Sequence, residues 1–283
     1  MGIPQIKNYY FIEKISKGAF GEVWKAISND SYNTNNNTNK GVEIAIKIEK
    51  KERKSHLRNE YAMLSYINPR LHITPSVFHL GETPTFNYMV IELLGKSIDK
   101  YYYHNTYNNI LKSPCNKSST LKYIGIQMLH CIQYIHKHGI IHRDIKPQNF
   151  LFSIDNKRVY IIDFGVSTLY IDNKKQHKPM TYHNSRVGTI DFISYYLHEG
   201  LSASRRDDLI SMIYVIIYMY NEMLPWQKEN RLKSIYEMKY NISPSDLCNS
   251  LSDKINVMLV YCYSLEYTAE PNYEYIRFLF ETM

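Results

Sequence analysis

Hydrophobic and polar positions alternate along most of the first hundred residues, which is the spacing expected of β-strands. The alternation predicts strands over residues 9–16, 21–28 and 42–49, and a further apolar strand over 85–95. Between these strands, residues 51–67 repeat their apolar positions at helical spacing. The residues that recur near this spacing are Leu57, Tyr61, Leu64 and Tyr66.

After residue 95 the helical spacing dominates. A long amphipathic helix is predicted over 119–137, with Leu121, Ile124, Met128, Ile132 and Ile135 on one face. Short strands are predicted at 150–153 and 158–162, and the apolar run 209–220 predicts a buried helix. That run is too short to span a bilayer, which needs about 20 residues, so we expect a soluble protein with no membrane partner.

The change of pattern near residues 93–96 predicts an α+β fold with two lobes. We expect a single domain over 1–283, divided into a small β-rich lobe (1–94) with one main helix and a larger, mainly helical lobe (95–283). Six of the eleven residues in 29–39 are asparagine, so this stretch is predicted to be a flexible surface loop.

The charge and the cysteines exclude several classes of protein. The net charge of +7 and the basic run 50–58 are typical of solvated lysines and arginines, and we expect no direct nucleic-acid site. The four cysteines form no CxxC pair, which argues against a zinc site and a disulfide framework. The amino terminus lacks the apolar core of a secretory signal. We therefore expect a reducing compartment, the cytoplasm or the nucleus, or the host cytoplasm if the gene is viral.

One stretch, HGIIHRDIKPQNF over 138–150, places charged side chains among isoleucines and a phenylalanine. Buried charges are costly unless they are paired or bind something, so the stretch is either a structural ion-pair cluster or a catalytic loop. Asp144 and Asn149 fit the pattern H-R-D-x-x-x-x-N, and a D-F-G motif begins at Asp163, nineteen residues after Asp144. The pattern between them predicts a strand, a turn and a strand, which would return Asp163 to Asn149.

These residue types suit phosphoryl transfer. Asn149 and Asp163 supply two oxygen ligands for Mg²⁺, and Asp144 supplies a carboxylate that faces the attacking hydroxyl. Lys146, two residues beyond Asp144, can neutralise charge on the transferred phosphoryl group.

Two features of the first fifty residues belong to the same chemistry. Gly18 and Gly21 lie in a predicted turn between strands, where small residues let backbone N–H groups approach phosphate oxygens. Ser16 stands where the usual G-x-G-x-x-G begins with glycine. Lys47 ends the predicted strand IAIK, from which it could pair with Glu60 and reach the α- and β-phosphates of ATP. Each feature alone fits an ordinary surface; the five together, in this order and spacing, predict a kinase.

The motifs resemble those of the eukaryotic protein kinases over nearly the whole chain, and among them the casein kinase 1 superfamily. The resemblance rests also on ELLGKSID (92–99), IIHRDIKPQNFLF (140–152), SRRDDL (204–209), LPWQ (224–227) and EPNYEYIRFLF (270–280). GTIDF (188–192) is similar to the vaccinia-related kinases, so the branch stays open. The resemblance implies the bilobal kinase fold and transfer of phosphate from ATP with Mg²⁺, or Mn²⁺ in its place, to Ser/Thr hydroxyls. The expected partners are protein substrates, acidic ones among them, with the kinase acting as a monomer.

The resemblance also implies the roles of individual residues. The catalytic set is Asp144, Lys146, Lys47 and Glu60, and the metal ligands are Asn149 and Asp163. The ATP site would be lined by Ile15, Ser16, Gly18, Gly21, Val23, Ala45, Lys47, Ile91, Glu92, Leu94 and Leu151. Glu92 and Leu94 would present hinge backbone groups to adenine, with Ile91 as gatekeeper. Asp208 would brace the catalytic loop from below.

The sequence departs from the casein kinase 1 pattern at Asp191. Members of that group usually carry an arginine there that helps bind an anion, often a phosphate on the substrate. An acidic side chain repels phosphate, so a preference for phosphorylated substrates is not implied. Phosphorylation of the activation segment is conceivable at Ser167, Thr168, Thr181 or Ser185, whereas the resemblance implies constitutive activity.

Two other functions stay open at this point. A pseudokinase acting as a scaffold would have the same fold, although such proteins usually lose Lys47, Asp144 or Asp163, all present here. A small-molecule kinase is the second, and the intact segment from D-F-G to SRRDDL speaks against it. Transfer of phosphate to protein, rather than ATP binding, separates the alternatives.

Overall fold

A computed structural model describes residues 6–18, 21–29, 41–51, 55–67, 72–107, 114–183 and 186–283, and for 104–107 and 114–116 it describes the backbone alone. The amino-terminal part contains the strands β1 (Tyr9–Gly18), β2 (Gly21–Ser28), β3 (Val42–Lys50), β4 (Val77–Glu82) and β5 (Phe86–Glu92). They form an antiparallel sheet in the order β1-β2-β3-β5-β4. Four of these strands were predicted. The prediction missed β4, whose sequence VFHLGE has no clear alternation. The asparagine-rich stretch lies almost wholly outside the described residues.

The two faces of this sheet contact different surroundings. Trp24, Ile46 and Val90 are cross-strand neighbours and belong to a small apolar cluster on one face. The adjacent set, Lys47 with Met89 beside it, lies on the opposite face because successive side chains of a strand alternate. Met89 packs into the main core of the molecule, so Lys47 is held on the inner face of the sheet.

Helix α1 (His56–Tyr66) packs against the inner face and begins at Ser55, whose hydroxyl accepts a hydrogen bond from the backbone N–H of Arg58. Its buried residues are Leu57, Glu60 and Leu64. The predicted helix is present, but Tyr61 and Tyr66, which recur near helical spacing, are 36% and 58% exposed. Hydrophobicity alone could not identify a glutamate as the buried residue.

The rest of the chain is mainly helical, as predicted. Its elements are α2 (Ile98–Tyr107), α3 (Pro114–Lys137), β6 (Ile140–Ile141), β7 (Phe150–Phe152), β8 (Val159–Ile161), β9 (Thr168–Leu169), α4 (Tyr195–His198), α5 (Arg205–Asn221), α6 (Leu232–Asn241), α7 (Pro244–Leu247), α8 (Asp253–Ser264) and α9 (Tyr273–Glu281). Helix α3 begins five residues before its predicted start, with a proline in the first turn, where proline is tolerated.

Helix α5 contains the apolar run that was predicted to be a buried helix, and this prediction is confirmed. It packs between α3 and α8, in the main core. Among the described residues, no helix combines the length and the apolar character that crossing a bilayer requires. The fold is therefore α+β, as predicted, with a β-rich and a helical part; the single domain over 1–283, divided after residue 94, stays a prediction.

A buried lysine supports the segment before α4. Lys239, on α6, is 1% exposed, and its Nζ donates to the carbonyls of Ile190 and Ile193 at 2.6 and 2.7 Å. The ammonium also lies 5.0 Å from the ring centroid of Trp226. Burial lowers the pKa of Lys239 to about 7, and Asp191 opposes that shift only in part.

The burial of Lys239 predicts that the stability of the fold depends on pH. Since the pKa of Lys239 is lower in the folded than in the unfolded chain, the unfolded chain binds more protons above about pH 7, and stability rises with pH there. We expect the wild type to gain stability relative to Lys239→Met between about pH 6.5 and pH 9. The difference between the two Tm values should therefore be larger at the higher pH, by an amount that corresponds to about 2 kcal/mol in the free energy of unfolding. His198, whose pKa burial lowers to about 3, does not titrate in this window. Thermal unfolding at both pH values checks this; a difference that stays constant or falls contradicts it.

Candidate active site

The loop after β6 is held by a buried carboxylate at the start of α5. Asp208, 1% exposed, accepts hydrogen bonds from the backbone N–H groups of His142 and Arg143 at 2.7 and 3.0 Å. Its Oδ2 also lies 3.0 Å from Nε2 of His136. Burial alone would raise the pKa of Asp208, but these donors outweigh it and hold the pKa below its usual value. The predicted bracing role of Asp208 is thus confirmed.

His142 joins this loop to the strand that leads to Asp163. Its Nε2 is 2.9 Å from the carbonyl of Ile162, which can only accept, so Nε2 carries the proton. Nδ1 is then the acceptor for the backbone N–H of Asp144 at 3.3 Å. The imidazole therefore bridges two segments twenty residues apart and fixes the backbone from which the Asp144 side chain projects.

The carboxylate of Asp144 is the most heavily hydrogen-bonded group in the loop. Oδ1 accepts from the backbone N–H and the hydroxyl of Thr189 at 2.9 and 2.7 Å. Oδ2 accepts from Nζ of Lys146 at 2.6 Å and from Nδ2 of Asn149 at 3.1 Å. Four donors therefore converge on the carboxylate of a residue that is only 6% exposed. Its position in space is fixed from both sides.

Asn149 and Asp163 come together as predicted. The hairpin of β7 and β8 returns the chain, and the N–H of Ile162 donates to the carbonyl of Asn149 at 2.9 Å. The side-chain N–H groups of Asn149 point at Asp144, which leaves its Oδ1 without a partner among the described residues. Oδ2 of Asp163 is likewise unpartnered within the described part of the chain, since only Oδ1 contacts Lys47.

This pair of oxygens fits a magnesium ion bound together with phosphates. Mg²⁺ prefers oxygen ligands, and in phosphoryl-transfer sites one or two protein side chains supplement water and phosphate. In the described ranges no group of three or more His, Cys, Asp or Glu side chains could hold a metal by itself. The donor set is therefore suited to an ion that arrives with a nucleotide.

Lys47 connects three parts of the chain. Its Nζ lies 2.6 Å from Oε2 of Glu60 on α1 and 2.7 Å from Oδ1 of Asp163. Burial would lower the pKa of Lys47, but the two carboxylates outweigh it and raise the pKa above its usual value. Burial raises the pKa of Glu60, whereas the lysine lowers that of Asp163 despite its burial. The lysine is therefore a permanent cation, held at one fixed point on the inner face of the sheet.

The residues assigned to nucleotide binding lie on β1, β2, β3, β5 and β7 and just after β5. Val23 is paired with Lys47 across the sheet, and Ala45 is paired with Ile91, so all four side chains share one face. The remaining members lie on β1 (Ile15, Ser16, Gly18), at the start of β2 (Gly21), at or after the end of β5 (Glu92, Leu94) and on β7 (Leu151). Their roles stay predictions.

Backbone constraints shape both ends of this region. Gly21 has φ +151°, and a Cβ there would lie 1.9 Å from the carbonyl oxygen of Ile48, so only glycine fits. After β5 the chain is tied to β7, because the N–H of Gly95 donates to the carbonyl of Phe152 at 2.8 Å. The backbone N–H of Glu92 donates a hydrogen bond to the carbonyl of Ser76, just before β4, at 2.9 Å. The backbone of Leu94, between these ties, forms no hydrogen bond to another described residue.

Sequence reasoning missed Thr189, which donates twice to Asp144 and lies 3.2 Å from Lys146. The only signal was its place in GTIDF. It also proposed Ser167 as a phosphorylation site, but Ser167 is 3% exposed and donates to the carbonyl of His142, so a second kinase could not reach it in this conformation. Thr181 is exposed, and Ser185 lies outside the described residues.

Asp191 lies two residues beyond Thr189. Its carbonyl accepts from the indole N–H of Trp226 at 2.8 Å, and its Oδ2 accepts from the amide of Gln227 at 3.2 Å. The half-buried carboxylate is thus anchored to the segment that carries Trp226 and Gln227. The segment that positions Thr189 is supported from beneath by Trp226 and Lys239 together.

The chain is similar in sequence to known proteins over most of its length. The family model described as "Protein kinase domain" matches residues 9–270. The chain is 31% identical to a probable casein kinase I homolog of Encephalitozoon cuniculi, over 97% of this chain and 88% of that protein. It is 33% identical to casein kinase I homolog 2 of Schizosaccharomyces pombe, over 97% of this chain and 62% of that longer protein.

The bilobal fold, the order of the motifs and these relatives agree. Protein kinases use ATP and Mg²⁺ to phosphorylate proteins, and the residues gathered around Lys47 and Asp144 are of the kinds that this chemistry requires. The chain belongs to the protein kinase family and is a casein kinase I-like serine/threonine kinase.

Proposed function

We propose that the chain is an active kinase in which Asp144 is the general base for a substrate serine or threonine hydroxyl. Asp144 takes the proton of that hydroxyl while the hydroxyl oxygen forms a bond to the γ-phosphorus of ATP. The bond from the γ-phosphorus to the β–γ bridging oxygen breaks, and ADP leaves with the electron pair. Lys146, 2.6 Å from Asp144, stabilises negative charge on the transferred group.

Lys47, Asn149 and Asp163 position the nucleotide in this proposal. Mg²⁺ bound with ATP neutralises phosphate charge, and the free oxygens of Asn149 and Asp163 are its assigned protein ligands. Lys47, oriented by Glu60, binds the α- and β-phosphates. The backbones of Leu94 and Glu92 bind adenine, with Val23, Ala45 and Leu151 around the ring and Ile91 behind it. Ile15, Ser16, Gly18 and Gly21 cover the phosphates.

The observation that carries the proposal is the convergence on Asp144. Four donors from three residues fix its carboxylate, and one of these donors is the amide of Asn149, an assigned ligand of Mg²⁺. A scaffold that never transfers phosphate has no need of this arrangement, because buried charges held in one geometry cost stability.

We also propose the kind of substrate and the setting. The net charge of +7 favours acidic proteins, while Asp191 disfavours a phosphate bound at its own position. Unphosphorylated serines and threonines in acidic proteins are therefore the proposed targets. The chain is proposed to act as a monomer in the cytoplasm or the nucleus.

Asp144→Asn tests the catalytic assignment. The amide keeps the size of the side chain but cannot accept the proton, so transfer from ATP to dephosphorylated casein should fall by at least about a hundredfold. ATP with Mg²⁺ should still raise the Tm of the variant, since Asp144 is not assigned to nucleotide binding. Phosphate transfer and thermal unfolding measure the two effects. The matched control is Asp253→Asn, at the exposed start of α8, which should leave both unchanged.

If Asp144→Asn phosphorylates casein as fast as the wild type, the assignment is wrong. If the wild type itself transfers no phosphate to casein or to a wider panel of peptides, yet ATP raises its Tm, the scaffold function is favoured instead.

Asp191→Arg tests the substrate assignment. The change replaces a negative charge near the substrate by a positive one, and a single partly solvated charge contact is worth about 1 kcal/mol. The ratio of rates on a phosphorylated peptide and its unphosphorylated twin should therefore rise by about fivefold or more. Gln227→Glu, which adds a negative charge beside Asp191, should not raise the ratio. An unchanged ratio in Asp191→Arg would show that no substrate phosphate lies near this position.

A further inference from the structure

The turn that follows Asp163 starts from a strained backbone. Asp163 has φ 67° and ψ 67°, the left-handed region that residues other than glycine rarely adopt. The next residues, Phe164–Val166, form one turn of 3₁₀-helix. A strained residue keeps such a conformation only where its surroundings hold it. The groups that hold this turn therefore decide where the Asp163 carboxylate points.

One side chain from α1 binds three carbonyls of the turn. Nδ2 of Asn59 lies 3.1 Å from the carbonyl oxygens of Phe164 and Gly165, and 3.2 Å from that of Ser167. All three neighbours are acceptors, so the amide must present its NH₂ group to them, which fixes its orientation. Two N–H groups shared among three carbonyls make a clamp around the turn.

Neighbouring contacts join the same two elements. Glu60, next to Asn59, accepts a hydrogen bond from the backbone N–H of Phe164. Nδ1 of His56, one turn earlier on α1, lies 3.4 Å from the carbonyl of Gly165. From the opposite side, Nε of Arg143 donates to the carbonyl of Val166 at 2.6 Å. All four carbonyls from 164 to 167 are thus bound by side chains, three of them by Asn59.

The Asn59 contacts lie where they can affect catalysis. Asn59 precedes Glu60, which orients Lys47, and the turn follows Asp163, which contacts Lys47. The hydrogen bonds from Asn59 to the turn add a second connection between α1 and the segment that carries Asp163. The helix and Asp163 therefore cannot move apart without breaking these hydrogen bonds. Sequence reasoning did not identify Asn59, because an asparagine beside an expected glutamate carries no motif.

We propose that Asn59 is a positioning residue for phosphoryl transfer, which clamps the 164–167 turn to α1 and thereby holds the strained Asp163 in its productive orientation. The residue touches no substrate; it acts through Asp163 and Lys47. The kinetic consequence rests on the roles proposed above for these two residues, whereas the clamp itself does not.

The proposal predicts which constant changes. Asn59→Leu keeps the size of the side chain but removes the donors, and should lower kcat about tenfold, the worth of one to two hydrogen bonds. Asn59→Asp places a carboxylate against three carbonyl oxygens and should lower kcat further. The KM for the protein substrate should change little, since Asn59 is remote from Thr189 and Asp191.

The order of the two variants separates the clamp from a role in helix stability. Asn59 lies near the amino-terminal end of α1, where a negative charge stabilises a helix. A residue that only stabilised the helix would therefore tolerate aspartate as well as or better than leucine. The clamp requires the opposite order, with Asp the more damaging substitution.

The experiment measures steady-state kinetics, Tm and amide hydrogen exchange on the full chain. We expect faster exchange over residues 163–168 in both Asn59 variants without nucleotide, together with the fall in kcat. The controls are Arg58→Leu and Arg58→Asp, the same changes one residue earlier, at a side chain that is 66% exposed. Both should have a kcat within about twofold of the wild type and unchanged exchange over 163–168.

Several results would overturn the proposal. The first is that both Asn59→Leu and Asn59→Asp keep the kcat of the wild type and its rate of amide exchange over residues 163–168. Another is exchange that rises over the whole amino-terminal lobe in proportion to a lower Tm, which would make Asn59 merely structural. If the wild type transferred no phosphate, the proposed function would fail, and the exchange measurement would still decide whether Asn59 clamps the turn.

Discussion

The ammonium of Lys47, shared by Glu60 and Asp163, is the interaction on which the rest of the site depends. It joins a strand, a helix and the D-F-G turn, the last of them 116 residues away along the chain. Removing charges from water is expensive, and a buried ion pair seldom stabilises a fold more than apolar packing would. Its value lies in geometry, because a cation with two partners can occupy only one place. The inner face of the sheet, the start of α1 and the strained Asp163 are all arranged around that point.

The other half of the site is held by different means. Asp144 takes its position from the helical part of the chain, through Asp208 beneath the loop and Thr189 beside it. The segment that carries Thr189 is in turn fixed by Trp226 and Lys239. Substrate and nucleotide chemistry are thus supported by two separate networks. They meet at the hairpin of β7 and β8, where Asn149 and Asp163 lie side by side.

Motif spacing predicted most of this arrangement because each motif residue lies on a regular element or in a short connection beside one. The strands carrying Lys47 and the glycines, the hairpin that returns Asp163, and the buried α5 all follow from local patterns of hydrophobicity. The pattern did not reveal that Glu60 lies on the buried face of α1, because Glu60 is buried for its charge and not for its apolarity. It also missed Asn59, Thr189 and Lys239, whose partners are backbone carbonyls or a carboxylate distant in the sequence. Contacts of that kind leave no periodic signal in the chain.

The most direct test of the central claim compares Lys47→Met with the double variant Lys47→Met/Glu60→Leu, measuring Tm and phosphate transfer to casein. The single change leaves the buried Glu60 without its partner, which is costly. The double change also removes this carboxylate and leaves only Asp163, whose side chain is 26% exposed, without the lysine. The account predicts that the double variant regains much of the Tm lost in Lys47→Met while its transfer stays at background. A double variant that phosphorylates casein would contradict the account, because the chemistry would then not depend on the shared cation.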